Sequence, residues 1–561
     1  MNQTQILESL LEYFPFPQIR AEQTAALQSI APWLERVIQR GFFEQPPLFF
    51  GCDAPTGVGK AGIAVAVARQ VQQMLAADPT QYGFKKHYDE GTGKPLLPQV
   101  WVVTQNKILQ DQYQKDFKDY LFDFKGLDNY PCDNDPGKSC GQSKCGRISP
   151  PDLDTPFEPP QYCTKQCGYD RVKKKAKFAP ILSLNTAKAF AMLKNPQYIP
   201  PALMIVDEGH GIESALDNEA TFTIDPKSLD RLGFVFERYF QDLTSLQAIM
   251  EGAADLMEQV QVQYDVEAAA GEDRDAIRIR RLQNLIMKFD EVRTSREQGV
   301  DYVSCSTTQV DLRPLRVHPV FRRIFKFPAL FLSATLLSER GFRSMTGIPK
   351  EQFDWFSIGS PFPKENRPVR YGFRMGATPL NYQNSAQQMP NLFNRIDEVM
   401  AKHKGERGII HTHTYRNAVA IYEALSLKHP GRLLFPKTAA EQKECLRLHE
   451  SSRNTVLLSP SMTEGVDLKD ELCRFVILVK VPYLPTNDPV VAARMDADSE
   501  WYLYRSVMTV VQASGRGVRS VDDHAVTYLC DPAFMQFIGR SRQHFPQWFL
   551  DGMERGFHGS Y

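Results

Sequence analysis

Three separated strings in the sequence carry residue types suited to handling a polyphosphate. The first, Ala54-Pro55-Thr56-Gly57-Val58-Gly59-Lys60-Ala61, follows the apolar run PLFFGCD at 47–53 and leads into the helically periodic IAVAVARQVQQML. Strand, glycine loop and helix in that order make an anion cradle. The glycines let backbone N–H groups approach phosphate oxygens, the helix N-terminus adds partial positive charge, and Lys60 can reach the terminal phosphates. Two positions depart from the usual loop: Ala54 stands in place of a first glycine, and Ala61 in place of a Ser or Thr hydroxyl on Mg2+. A glycine-rich turn with an incidental lysine is the bland alternative.

The second string, Asp207-Glu208-Gly209-His210, follows Leu-Met-Ile-Val and puts two carboxylates at the C-terminal end of a predicted strand, where α/β sheets place ligands. Asp207 can hold Mg2+, and Glu208 can orient and deprotonate an attacking water. An acidic pair capping the next helix would look the same in isolation; the phosphate loop upstream favours the catalytic reading. The third string is Gln512-Ala513-Ser514-Gly515-Arg516-Gly517-Val518-Arg519. On a helix Arg516 and Arg519 share one face, from which they could reach across a cleft to charge on a transferring phosphoryl group.

Of the ten cysteines, Cys132, Cys140, Cys145, Cys163 and Cys167 fall within one 36-residue window poor in apolar periodicity. That grouping points to a metal held by thiolates in a reducing compartment rather than to disulfides. Four thiolates suit a [4Fe-4S] cluster or a zinc ion. Cys52, Cys305, Cys445, Cys473 and Cys530 are scattered and read as core thiols. Arg171, Lys173, Lys174, Lys175 and Lys177 form a basic run, either a solvated face or a contact for strand phosphates. Tyr169 and Phe178 beside it are candidates for stacking on bases.

The elements that must position these groups are legible as apolar runs. Those at 47–53, 99–104, 181–184, 202–206 and 329–332 read as strands buried on both faces of a parallel sheet. A second series at 408–411, 455–459, 475–481 and 525–530 predicts a second α/β domain. Residues 240–295 predict an antiparallel helical pair joined near Gly271, with apolar stripes at Leu246, Ile249, Met250, Ala253, Met257, Val260, Tyr264 and at Leu282, Leu285, Ile286, Phe289, Val292. A chain of 561 residues has room for three to five domains. Lys plus Arg and Asp plus Glu each number 66, so any polyanion must be held by a local patch and not by net charge. The 42% hydrophobic and 24% charged residues exclude wholesale disorder. Without a long apolar run or a leader-like N-terminus, a soluble cytoplasmic protein is expected.

The order of the strings is more specific than any one of them. APTGVGKA, TQNKILQDQ, DEGH, SATL (Ser333 to Leu336), SPFP (Ser360 to Pro363), EGVDL (Glu464 to Leu468), PYLPTNDP (Pro482 to Pro489) and QASGRGVRS succeed one another over most of the chain. The series resembles the iron-sulfur superfamily 2 helicases of the DinG/XPD type. The resemblance implies an α/β fold of two RecA-like P-loop helicase domains carrying an inserted iron-sulfur domain and an inserted helical arch. Its boundaries would be 1–105 for the first RecA-like domain (continued at 179–212 and 322–364), 106–178 for the cluster domain, 213–321 for the arch and 365–561 for the second RecA-like domain. It implies that Lys60 is the Walker A lysine, that Asp207 and Glu208 are the Walker B pair, and that His210 ends a DEAH box with Gly209 in the alanine's place. Ser333 and Thr335 resemble the motif that couples ATP state to strand movement. Glu464, Gly465 and Asp467 resemble motif V, and Gln512, Arg516 and Arg519 motif VI. Arg20 and Gln23 resemble the adenine-recognition element. Nucleotide contacts would thus come from Arg20, Gln23, the loop from Ala54 to Ala61, Asp467 and Gln512. A [4Fe-4S] cluster would take Cys132, Cys163, Cys167 and either Cys145 or Cys140, with Cys145 preferred. The implied function is an ATP- and Mg2+-dependent DNA helicase or translocase, monomeric, acting 5′ to 3′ on single-stranded DNA and duplex junctions. The alternative is a nucleic-acid-binding ATP switch with little turnover, because of Ala61.

Overall fold

The apolar runs of the first series are strands buried along their whole length, as strands covered by helices on both faces must be. The computed structural model describes all residues except 1, 85–86, 90–91, 134, 136, 144–166, 196–197, 270–275, 373–379, 381–384, 461–467, 469, 516, 519–521 and 557–561. In chain order the strands of the first sheet are β1 (Phe49–Asp53), β2 (Val100–Thr104), β3 (Phe122–Asp123), β4 (Ile181–Asn185), β5 (Leu203–Asp207), β6 (Ala329–Ser333) and β7 (Phe353–Ser357). They form a seven-stranded parallel sheet in the order β7-β1-β6-β5-β2-β4-β3. The edge strands β3 and β7 escape a search for apolar runs, since β3 has two residues and β7 reads FDWFS with only Phe353 buried. β7 also explains Gly51: a Cβ there would lie 2.6 Å from the Phe353 ring and 2.7 Å from that of Trp355.

The second sheet comprises β8 (Val369–Tyr371), β9 (Gly408–His411), β10 (Leu433–Leu434), β11 (Val456–Ser459), β12 (Phe475–Leu478), β13 (Val526–Leu529) and β14 (Met553–Arg555). Its seven strands are parallel, in the order β10-β11-β9-β12-β13-β8-β14.

Between β5 and β6 the chain builds the helices Leu246–Ala268 and Ala276–Glu297, packed on each other along the predicted stripes. Ile249, Ala253, Met257, Val260 and Tyr264 are buried on one helix, and Leu282, Phe289 and Val292 on the other. A three-stranded antiparallel sheet of Phe222–Ile224, Tyr302–Ser304 and Val310–Pro314 lies at their base, an addition to the predicted helical pair. One hydrophobic cluster runs from Phe331 in the first sheet through Leu256 of the insertion to Tyr504 and Val511 in the second half. The two halves are therefore joined by packing as well as by the chain.

Candidate functional site

β1, β6 and β5 are adjacent, so the segments leaving their C-terminal ends converge: the glycine loop after Asp53, Ser333-Ala-Thr335, and Glu208 with His210. The loop turns through Gly57 at φ 86° and Gly59 at φ 83°, left-handed values that favour glycine, and enters the helix Lys60–Ala77. Arg20 and Gln23 brace it. The Arg20 guanidinium donates to the Gly57 carbonyl at 2.5 Å, and the buried Gln23 amide donates to the Val58 carbonyl at 2.9 Å. Lys60 folds back, its Nζ 3.4 Å from the Ala54 carbonyl.

On the far side of β6, Asp207 ends β5 and Glu208 follows in a left-handed conformation at φ 55°. A non-glycine residue held there is a sign of local strain of the kind that collects at functional sites. The hydrogen bonds around Glu208 form one circuit. The Ser333 hydroxyl donates to Glu208 Oε2 at 3.0 Å, and accepts from His210 Nδ1 at 2.8 Å and from the Thr335 N–H at 3.2 Å, which assigns the Nδ1 proton. From the second half, the Gln512 amide reaches Thr335 Oγ1 at 3.4 Å. Asp207 accepts the N–H of Glu208 on Oδ1 at 3.0 Å and the phenol of Tyr113 on Oδ2 at 2.9 Å.

The two carboxyls are driven apart. Burial, then the charge of Glu208, pushes Asp207 up to about 6 against the pull of Lys60. Burial opposes ionisation of Glu208 too, but Lys60 and the His210 hydrogen bond outweigh it and hold that carboxyl well below the usual range. A folded value above the unfolded one means that ionising Asp207 costs stability as pH rises from the ordinary carboxylate range through about 6. A hard cation would offset that cost, and oxygen donors beside a lysine are a set Mg2+ accepts. Protons and Mg2+ should therefore compete. The Mg2+ needed for half-maximal ATP binding is expected to rise as pH falls below about 6 and to be flat above it. A flat titration from about pH 5 to about pH 8 would contradict that assignment of Asp207.

Sequence reasoning passed over three residues here. Asp53, buried and pushed up to about 6 by burial, accepts the Leu337 N–H at 3.0 Å and the Ser357 hydroxyl at 3.2 Å, tying β1 to the segment after β6 and to the end of β7. An Asp closing an apolar strand was a visible signal. Tyr113, on the helix Lys107–Phe117, gives none, because an aromatic at helical spacing reads as core. The third is Glu213, on the helix Ile212–Ala220 just beyond His210. Its carboxylate accepts from the Trp501 indole at 2.7 Å and faces Arg505 at 3.3 Å and Arg494 at 3.7 Å, all from the second half. Arg494 also holds Asp217 at 2.5 Å and the Pro314 carbonyl at 2.8 Å, so one guanidinium joins the second half to two parts of the stretch between β5 and β6.

Other assignments fare differently. Arg516, Arg519, Glu464, Gly465, Asp467, Cys145 and Cys163 lie outside the described residues. The helix Ser499–Ser514 ends before Gly515, and Gly517 and Val518 are not helical, in keeping with two glycines in four residues. Cys132 and Cys140 are buried beside a bridge between Pro131 and Ser139. Cys167 stands at the N-cap of the helix Gly168–Ala176. Contrary to expectation, apolar packing helps hold this segment, since Tyr169 is 5.9 Å from the Phe124 ring and 5.4 Å from that of Tyr130. Among the described residues no three His, Cys, Asp or Glu side chains form a metal-holding group. Tyr169 is buried and unavailable to a base, whereas Phe178 is exposed. The basic run is partly committed within the protein, Lys174 to Asp170 at 2.8 Å and Lys177 to Asp89, while Lys175 is exposed.

Two seven-stranded parallel sheets, with a glycine loop and paired carboxylates at the strand ends of one, define a pair of RecA-like α/β domains. A helicase C-terminal domain family matches residues 396–552. The helicase subunit XPD of general transcription and DNA repair factor IIH from Dictyostelium discoideum is 27% identical over 137 residues, covering 21% of this chain. The ATP-dependent DNA helicase YoaA of Escherichia coli is 29% identical over 236 residues, covering 39% of this chain. The matched stretches span only 17% and 36% of those two relatives' own lengths. A solved XPD helicase superposes with a TM-score of 0.59 at 13% identity, over 96% of this chain and 100% of that one. Xpd4 of S. tokodaii does so with a TM-score of 0.53 at 12% identity, over 96% and 100%. Together these findings show a likeness to helicases of the DinG/XPD type, and the solved XPD structures share its fold. No helix among the described residues is long and apolar enough to cross a membrane.

Proposed function

We propose that the protein is an ATP-dependent DNA helicase or translocase that binds ATP between its two halves and single-stranded DNA across them, moving 5′ to 3′. The observation that carries the proposal is the hydrogen-bonded path from Glu208 through Ser333 and Thr335 to Gln512, which ties the residue suited to activating water to the second half. In this reading the loop amides and Lys60 take the phosphates, and Asp207 holds Mg2+, which shields charge on the transferring phosphoryl group. Glu208 orients the attacking water and accepts its proton. Arg20 and Gln23, which clasp the loop carbonyls, exchange part of that clasp for the adenine edge. Arg516 and Arg519 stabilise developing charge from the second half, Asp467 and Gln512 line the same cleft, and the Ser333 circuit couples turnover to movement along the strand. The assignment as a monomer acting inside the cell on duplex junctions belongs to the same proposal.

In the insertion, Cys132, Cys145, Cys163 and Cys167 would hold a [4Fe-4S] cluster, a site supported by the helix end at Cys167 and the buried thiol of Cys132. Cys167→Ser is expected to remove the visible absorption of anaerobically purified protein and to abolish unwinding. Stoichiometric zinc without iron in the wild type would refute the cluster. Polarity is tested by displacing a labelled strand from duplexes with one single-stranded tail. A 5′ tail should support unwinding, and a preference for 3′ tails would reverse the assignment. Ala61 supports a second reading, an ATP-driven clamp with little turnover, which requires ATP-dependent DNA retention without unwinding from either tail.

A further inference from the structure

We infer that Tyr113 takes over the positioning role of the hydroxyl that position 61 lacks, holding Asp207 in the orientation that receives Mg2+. The inference rests on the ATPase reading above and concerns one residue that no motif in the sequence marks.

A P-loop hydroxyl places an oxygen beside the metal; Ala61 offers none. Asp207 is buried, and a buried carboxylate needs donors to fix its plane. It has two in place. The Glu208 N–H occupies one lone pair of Oδ1 at 3.0 Å, and the Tyr113 phenol occupies one lone pair of Oδ2 at 2.9 Å, leaving one lone pair on each oxygen. Tyr113 can only be the donor. Burial first, then Asp207, pushes its phenol well above its ordinary value.

The fold brings Tyr113 to this point for a reason that also involves Ala61. β2 lies next to β5, and the helix Lys107–Phe117 begins just beyond the end of β2, so its side chains pass over the end of β5. The Tyr113 ring packs on Phe117 with centroids 5.6 Å apart, in the same hydrophobic cluster against which Ala61 rests. A phenol that merely satisfied a buried acceptor would stabilise the fold without affecting the metal.

The two roles separate in a double-variant cycle on the full chain, read as the Mg2+ concentration giving half-maximal binding of a non-hydrolysable fluorescent ATP analogue. No turnover is involved. Losing an outer partner of a metal ligand weakens metal binding about 10–100-fold, so Tyr113→Phe should raise the Mg2+ demand by at least about tenfold. Analogue binding without metal should stay within about twofold of wild type, because phosphate contacts come from the loop amides and Lys60. Ala61→Ser should recover most of the loss on the Tyr113→Phe background and lower the demand much less on the wild-type background, the non-additivity expected of two groups that serve one metal site. An unchanged Mg2+ demand in Tyr113→Phe, or a double variant no better than the single, overturns the inference. If Tyr113→Phe alone is poorly folded, Ala61→Ser should restore its thermal stability as well, and failure to do so has the same meaning. A wild type that binds no analogue with or without Mg2+ overturns the ATPase reading itself. A wild type that binds normally beside an indistinguishable Tyr113→Phe removes only the role of Tyr113.

Discussion

Glu208→Gln is expected to bind ATP and single-stranded DNA as the wild type does and to hydrolyse ATP at least about 10²-fold more slowly, the lower end of what general-base loss costs. Glutamine keeps the length of the side chain and an oxygen for the Ser333 hydroxyl, so the circuit through His210 and Thr335 can persist. What it cannot do is accept a proton. Steady-state release of phosphate, with nucleotide and DNA binding measured on the same preparation, checks this. Turnover within about threefold of wild type would show that another group activates water and would take Glu208 out of the mechanism.

The second large effect is on stability. Glu213→Ala is expected to lower the free energy of unfolding by about 3–5 kcal/mol, the usual result of removing one partner of a buried ion pair. The Glu213 side chain is 6% exposed, and its loss takes the carboxylate away from Arg505 and the acceptor away from the Trp501 indole. Arg494 keeps Asp217 and the Pro314 carbonyl, so the contact of the second half with the stretch between β5 and β6 should loosen without separating. Denaturant unfolding followed by tryptophan emission measures the change, and DNA stimulation of the ATPase should fall along with it. A midpoint equal to that of the wild type would mean that the network adds nothing to the contact with the second half.

How much could be read in advance depended on burial and chain separation. Strands β1, β2, β4, β5 and β6 are buried throughout and mostly apolar because both faces are covered, and that pattern is local in sequence. β3, β8, β10 and β14 are two or three residues long and leave no period to detect. The glycine loop and Asp207-Glu208 were legible because each is a contiguous string at a strand end. Tyr113 and Glu213 were not, since each acquires its meaning from a partner 94 or 288 residues away, which only the sheet order and the packing of the halves bring near. The arginine pair shows another limit: a spacing of three suggests a helical face only where the backbone is helical, and the helix Ser499–Ser514 ends before Gly515.

The central claim is that the ATP site in the first half answers to a DNA strand held across both. ATP hydrolysis by the wild-type chain, measured with and without single-stranded DNA at saturating Mg2+, tests it most directly. The account predicts a low basal rate that DNA raises at least about tenfold, as closure brings the second half onto the phosphoryl group. A rate that is the same with and without DNA, in protein shown to bind both ATP and the strand, would contradict it.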